Sequence, residues 1–79
     1  MEIKVLGTGC AKCKKLEALA TEAAAGLDAT VTKVERLDDI LAHGVAMTPA
    51  LVVDGEVKSA GRLPKVDEIR AWLQDPQAR

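Results

Sequence analysis

Apolar and polar positions change their period several times along this chain, and each change marks an element. Glu2 to Leu6 alternates, which predicts a short strand with Ile3 and Val5 on one face. Leu16, Leu19, Ala20, Ala23 and Leu27 then recur at helical spacing, with Glu17, Thr21 and Glu22 turned away and Gly26 as a natural stop. Thr30 to Glu35 is β-branched and reads as a second strand, although its alternation is imperfect. Asp38 is expected to cap a short helix running to about His43 and ended by Gly44. Leu51-Val52-Val53 and Val57 flank Asp54-Gly55, the strongest short hairpin signal. Pro49 sits at the start of the first hairpin strand, where its missing N–H is tolerated, and Ala60-Gly61 ends the hairpin. Pro64 suits the first turn of a last helix whose buried stripe is Val66, Ile69, Trp72 and Leu73. Asp67 and Glu68 fall in that helix's first turn, where the macrodipole favours acids, and residues 75–79 read as a loose tail.

The order is therefore β-α-β-α-β-β-α, an α/β chain with no internal repeat or linker. Seventy-nine residues make a single domain, 1–79 with a core of about 2–74, near the lower size at which one core suffices without staples. The hydrophobic fraction of 48% is ample, but its large side chains are mainly Leu, Val and Ile, with a single Trp and no Phe or Tyr. Stacking of nucleic-acid bases on aromatic platforms is thereby excluded. A net charge of −1, from 11 basic and 12 acidic residues well mixed, gives no polyanion-binding patch. No apolar run approaches the roughly 18 residues of a membrane span, and Met1 leads straight into the first strand pattern. The expectation is a cytoplasmic protein and a monomer. In that compartment a lone cysteine pair serves catalysis or metal binding more often than structural cross-linking.

The chemistry gathers in Gly7-Thr8-Gly9-Cys10-Ala11-Lys12-Cys13-Lys14-Lys15, which holds both cysteines at a strand–loop–helix junction. It is not a dinucleotide fingerprint, because Lys12 stands where a third Gly would be needed. Cys10, at the start of the helix, faces unpaired N–H groups that favour a thiolate, and Lys12 and Lys14 add positive charge. Cys13 is one turn further in, expected to be shielded and less acidic. Residues three apart share a helix face, so the two sulfurs can meet with little strain. Two readings follow: dithiol–disulfide exchange, or capture of a soft metal ion. In the first, Cys10 is the attacking nucleophile and Cys13 the resolving thiol that closes the ring. Gly7 and Gly9 permit a tight loop, His43 is expected to interact with a helix C-terminus, and Met47 reads as core filler.

Taken together, Cys10-Ala11-Lys12-Cys13, Thr48-Pro49, the Asp54-Gly55 hairpin and Gly61 before the last helix resemble the thioredoxin and glutaredoxin family of small redox-active disulfide proteins. The resemblance spans about residues 2–74. It implies a minimal thioredoxin-like fold, a mixed four-stranded sheet flanked by helices, with a cis Thr48–Pro49 bond packed beside the cysteines. It further implies that Thr48 offers its backbone N–H and C=O to an extended client, a short β-augmentation, with Pro49 shaping the same site. Lys12 and Gly9 would modulate the reactive pair. The implied function is reduction or exchange of protein disulfides, with cell redox homeostasis and electron transport as its setting. The partners would be a disulfide-containing client and an external reductase or thiol donor, with no cofactor beyond the Cys10–Cys13 disulfide and no metal.

The chain also departs from those relatives. Gly9 stands where thioredoxins carry Trp before the first Cys, and the first strand offers only Glu2 and Lys4 where thioredoxins bury a carboxylate. Proton handling for Cys13 is left unassigned. Arg62-Leu63-Pro64-Lys65 stands where glutaredoxins often place an acidic residue. The rival readings are a Cu(I) or Zn(II) binding module and a redox-sensing adaptor, both using the same pair. Metal-carrying domains of this size usually have Met two residues before the first Cys, where this chain has Thr8, and they end in a strand rather than a helix. A closed zinc site would also need two further ligands, and only His43 is an obvious extra.

Overall fold

The alternation of Glu2–Leu6 resolves into a strand whose two faces serve two different cores. In the computed structural model, which describes residues 1–74, the elements are β1 (Glu2–Leu6), α1 (Ala11–Ala24), β2 (Thr30–Val34), α2 (Leu37–Ala42), β3 (Ala50–Val53), β4 (Glu56–Ala60) and α3 (Val66–Gln74). The tail expected at 75–79 lies outside the described residues. The four strands form one mixed sheet in the order β2-β1-β3-β4. Strand β1 runs parallel to β2 and antiparallel to β3, and β3 and β4 form the antiparallel hairpin. This is the small thioredoxin-like α/β architecture.

Register explains the cores. Ile3 pairs with Val53 and Val5 with Leu51, so these four face α1 and α3. There they meet Leu16, Ala20, Ala23 and Ala24 of α1 and Ile69 and Leu73 of α3. The opposite face shows Leu6, Ala50 and Val52, closed by Ile40 of α2 and by Val45. All four residues of β3 are buried, as a central strand covered on both faces requires. The imperfect alternation of β2 has a matching cause: it is an edge strand, and Thr30, Thr32 and Lys33 are exposed on it.

The hairpin turn takes the form its sequence demands. Asp54 (φ 49°) and Gly55 (φ 83°) both lie in the left-handed region, as a two-residue type I′ turn needs. Asp54 also exchanges bonds with β1: its Oδ1 accepts from the Glu2 N–H at 2.7 Å, and its own N–H donates to the Glu2 carbonyl at 2.8 Å. A bulge between Leu51 and Val52 leaves Lys58 as the extra residue of β4, ion-paired with Glu56. A bulged, charged strand at the sheet edge resists pairing with other chains.

Three expectations need correction. Asp38 does not cap α2: the helix begins at Leu37, its N-cap is Arg36, and no side chain caps it. The Asp38 carboxylate instead takes the Arg36 guanidinium (Nε–Oδ1 3.3 Å, Nη2–Oδ2 3.2 Å) and the Asp39 N–H. Pro64 lies before α3, not in its first turn, and is fully buried. The free end of α3 is closed from within, Glu68 accepting the Lys65 N–H at 3.0 Å as in half of a capping box. Met47 is not core filler. It is 63% exposed and lies against Gly61, where its Cβ and Cε come within 3.0 Å of any added Cβ. His43 does sit at a helix end, its Nδ1 2.9 Å from the Asp39 carbonyl oxygen.

Candidate functional site: the cysteine pair at the start of helix α1

A loop of small residues carries the chain from β1 into α1 and leaves Cys10 in the N-cap position. Its backbone is extended (φ −67°, ψ 166°), and its Sγ accepts the Cys13 N–H at 3.2 Å. The Cys10 carbonyl takes the first helical bond, from the Lys14 N–H at 3.0 Å. No acidic residue occupies the first turn of α1, so nothing on that turn offsets the positive end of the helix, and Lys12, Lys14 and Lys15 are exposed around it. Cys10 and Cys13 form a disulfide with their Cα atoms 5.0 Å apart. Cys10 is exposed and Cys13 is 5% exposed. One sulfur is thus offered to solvent and its partner is held behind it.

Gly7 is what makes room for that inner sulfur. It is buried at the end of β1, tied to β2 by its N–H to the Val34 carbonyl at 2.9 Å. A Cβ built on it would overlap the Cys13 Sγ and approach the Cys13 Cβ to 3.0 Å, with the Thr48 Cβ 4.0 Å away. So Gly7 adjoins both Cys13 and Thr48, and the Thr48–Pro49 loop reaches the cysteines through it. The Thr48–Pro49 peptide bond is cis. Thr48 is exposed, Pro49 is buried, and the Pro49 carbonyl accepts the Gly61 N–H at 2.9 Å. The sequence residues Gly9, Cys10, Lys12, Cys13, Thr48 and Pro49 therefore converge on one end of the sheet.

Beside Cys13, on the α1–β2 side, a cleft encloses about 30 Å³, room for roughly one water. Its walls are Val5, Gly7 and Gly9 together with the charged Lys14, Glu17, Lys33 and Glu35. Sequence reasoning singled out neither the packing role of Gly7 nor this charged ring. Glu17 was open to discovery, being four residues after Cys13 on one helix, whereas Lys33 and Glu35 arrive only through the parallel β1–β2 register. Arg62 is engaged elsewhere: it pairs with Glu68 through both guanidinium nitrogens (3.2 and 3.0 Å) and lies 5.8 Å over the Trp72 ring. That pairing raises the Arg62 pKa and holds the Glu68 carboxyl below its ordinary value.

A thioredoxin domain model matches residues 1–74. The chain belongs to the thioredoxin family. It is 44% identical over 75 residues to a thioredoxin of Methanothermobacter thermautotrophicus, covering 92% of this chain and 97% of that one. It is similar also to a thioredoxin of Methanocaldococcus jannaschii, at 34% over 74 residues, covering 91% of this chain and 85% of the relative. Family membership and the bonded Cys10–Cys13 pair together make this a thiol–disulfide redox protein of general thioredoxin type. Among the described residues no three His, Cys, Asp or Glu side chains converge as a metal-ligand set, and no helix is long and apolar enough to cross a membrane.

Proposed function

We propose that this chain reduces or exchanges disulfides of client proteins through a two-step cycle of Cys10 and Cys13. The observation that carries the reading is the asymmetry of the pair: an exposed N-cap sulfur in front, a buried sulfur one turn behind. In the reduced protein the Cys13 N–H aimed at the Cys10 Sγ, the uncompensated helix N-terminus and the nearby lysines all favour the thiolate of Cys10 over its thiol. That thiolate attacks one sulfur of the client disulfide, and the other client sulfur leaves and takes a proton. Cys13 then displaces the client from Cys10, and an external reductase or thiol donor reopens the Cys10–Cys13 disulfide. The client lies along the exposed Thr48 backbone with Pro49 beneath it. Lys12 tunes the charge at Cys10, and Gly9 keeps the approach to it open. The redox group is the cysteine pair alone, with no cofactor and no metal, and the setting is a cytoplasmic monomer.

The test is covalent trapping. Cys13→Ser incubated with a disulfide substrate accumulates an adduct through Cys10, located by mass spectrometry, while Cys10→Ser traps nothing. Preferential trapping through Cys13 in the Cys10→Ser protein reverses the assignment.

A further inference from the structure

The second step of the proposed cycle needs Cys13 as a thiolate, yet its sulfur is buried and its thiol proton must go somewhere. The cleft beside that sulfur offers an exit. The cleft beside Cys13 has room for about one water, and two acidic residues, Glu17 and Glu35, are among those that line it. Glu17 stands one turn after Cys13 on α1, and helical side chains lean back toward the N-terminus, over the turn that holds Cys13. It is half-buried, and among the described residues its carboxylate has no ion-pair or hydrogen-bond partner that would divert it. Glu35 is exposed, and its Oε2 lies by Gly9, 3.5 Å from where a Cβ there would be.

We infer that Glu17 accepts the Cys13 thiol proton, through a water in this cleft, when the mixed disulfide resolves. The inference rests on the proposed roles of Cys10 and Cys13. The Cys13 S–H bond breaks, and its proton passes by way of the water to the Glu17 carboxylate. The freed electron pair of Cys13 Sγ forms the Cys10–Cys13 bond as the bond between Cys10 and the client sulfur breaks. The client sulfur leaves as a thiolate, and Glu17 returns the proton to it through solvent. Two electrons have then moved from the dithiol to the client. The other charged groups facing the cleft are Lys14 on α1, Lys33 on β2 and Glu35 beyond it, while β1 and its loop contribute only Val5, Gly7 and Gly9. Lys33 and Lys14 favour the developing Cys13 thiolate, so the carboxylate's part is to take the proton rather than to stabilise the charge.

The experiment follows both steps in single turnover with a disulfide substrate, by acid quench and mass spectrometry, across pH, for the wild type and for Glu17→Gln, Glu17→Asp, Glu35→Gln and Glu22→Gln. In Glu17→Gln, attack by Cys10 proceeds as in the wild type, but release at neutral pH slows about tenfold or more, so the Cys10 adduct accumulates transiently. Release recovers toward about pH 9, where solvent deprotonates an ordinary thiol directly. Glu17→Asp recovers part of the rate, and Glu22→Gln, on the same helix but outside the cleft, leaves both steps unchanged. Wild-type release in Glu17→Gln at every pH, a slowing that does not change with pH, or the same phenotype in Glu35→Gln alone overturns the assignment. If Cys13→Ser forms no Cys10 adduct, the underlying roles fall and this inference with them. A normal adduct in Cys13→Ser with normal release in Glu17→Gln removes only the role of Glu17.

Discussion

The two faces of the sheet are built to different standards. One is covered by α1 and α3, 14 and 9 residues long, and its core contains Ile3, Val5, Leu16, Leu51, Ile69 and Leu73 buried to 3% or less. The other is covered by six residues of α2, which commit only Ile40 to the core and leave Leu37 and Leu41 mostly exposed. The heavy face is where Cys13 resides, on the buried side of α1 in line with Leu16 and Ala20. The buried sulfur is thus carried by a helix that packs against both the sheet and α3. The thin face meets the sheet through Leu6, Ala50 and Val52, and it leads by way of Val45 into the Met47–Thr48–Pro49 loop. The denser packing thus lies under one half of the site.

The largest effect that would break this contrast comes from matched core truncations. Leu16→Ala is expected to destabilise the fold by about 3–5 kcal/mol, because α1 is pinned between the sheet and α3 and the hole cannot collapse. Ile40→Ala is expected nearer about 2 kcal/mol, since a six-residue helix with one buried anchor can settle inward. Denaturant unfolding of both variants measures the difference, and equal losses would show that the faces are equivalent.

Gly7 sharpens the comparison at the point where the heavy face meets the chemistry. Gly7→Ala places a methyl group onto the Cys13 sulfur, the end of a short, buried side chain that has little freedom to yield. Overpacking of this kind costs about 1–3 kcal/mol. It should also lower the reactivity of Cys13 more than that of Cys10, because only the inner sulfur is displaced. Thiol-labelling rates of the two cysteines in the reduced variant, together with its melting temperature, check both parts.

Most of the fold was legible in the sequence, because its signals are local. The Asp54-Gly55 turn, the helical spacing of Leu16, Ala20 and Ala23, and the stripe of Ile69 and Leu73 each declare an element without reference to any other. The cysteine pair was legible for the same reason. What escaped depends on register. Gly7 looks like a loop residue until β1 and α1 are packed and the Cys13 sulfur fills the space beside it. Lys33 joins the site because it pairs with Val5 across a parallel ladder, a relation that no sequence window contains. The misplaced cap of α2 has a different origin: Asp38 is a good cap residue, but the neighbouring Arg36 guanidinium competes for its carboxylate.

The smallest effect concerns the entry to α3, on the heavy face but at its surface. Glu68 is held below its ordinary carboxyl pKa first by the bidentate bond from Arg62 and then by the Lys65 N–H. A carboxyl depressed in the folded state contributes stability that is present above its unfolded pKa, near 4.5, and is lost as pH falls through the lower folded value. Both partners are solvent-exposed, so the contribution is small and salt-sensitive. Glu68→Gln should therefore flatten part of the acid limb of the stability–pH curve while leaving stability near neutral pH little changed. Arg62→Lys should do the same to a lesser degree, since a lysine keeps the charge but not the two-pronged bond or its place over the Trp72 ring. Trp72 fluorescence during acid titration reports on the pair through Arg62, which lies over that ring. If Glu68→Gln leaves the acid limb unchanged, the α3 entry is held by the burial of Pro64 and Ile69 alone, and the heavy face owes nothing to its charged rim.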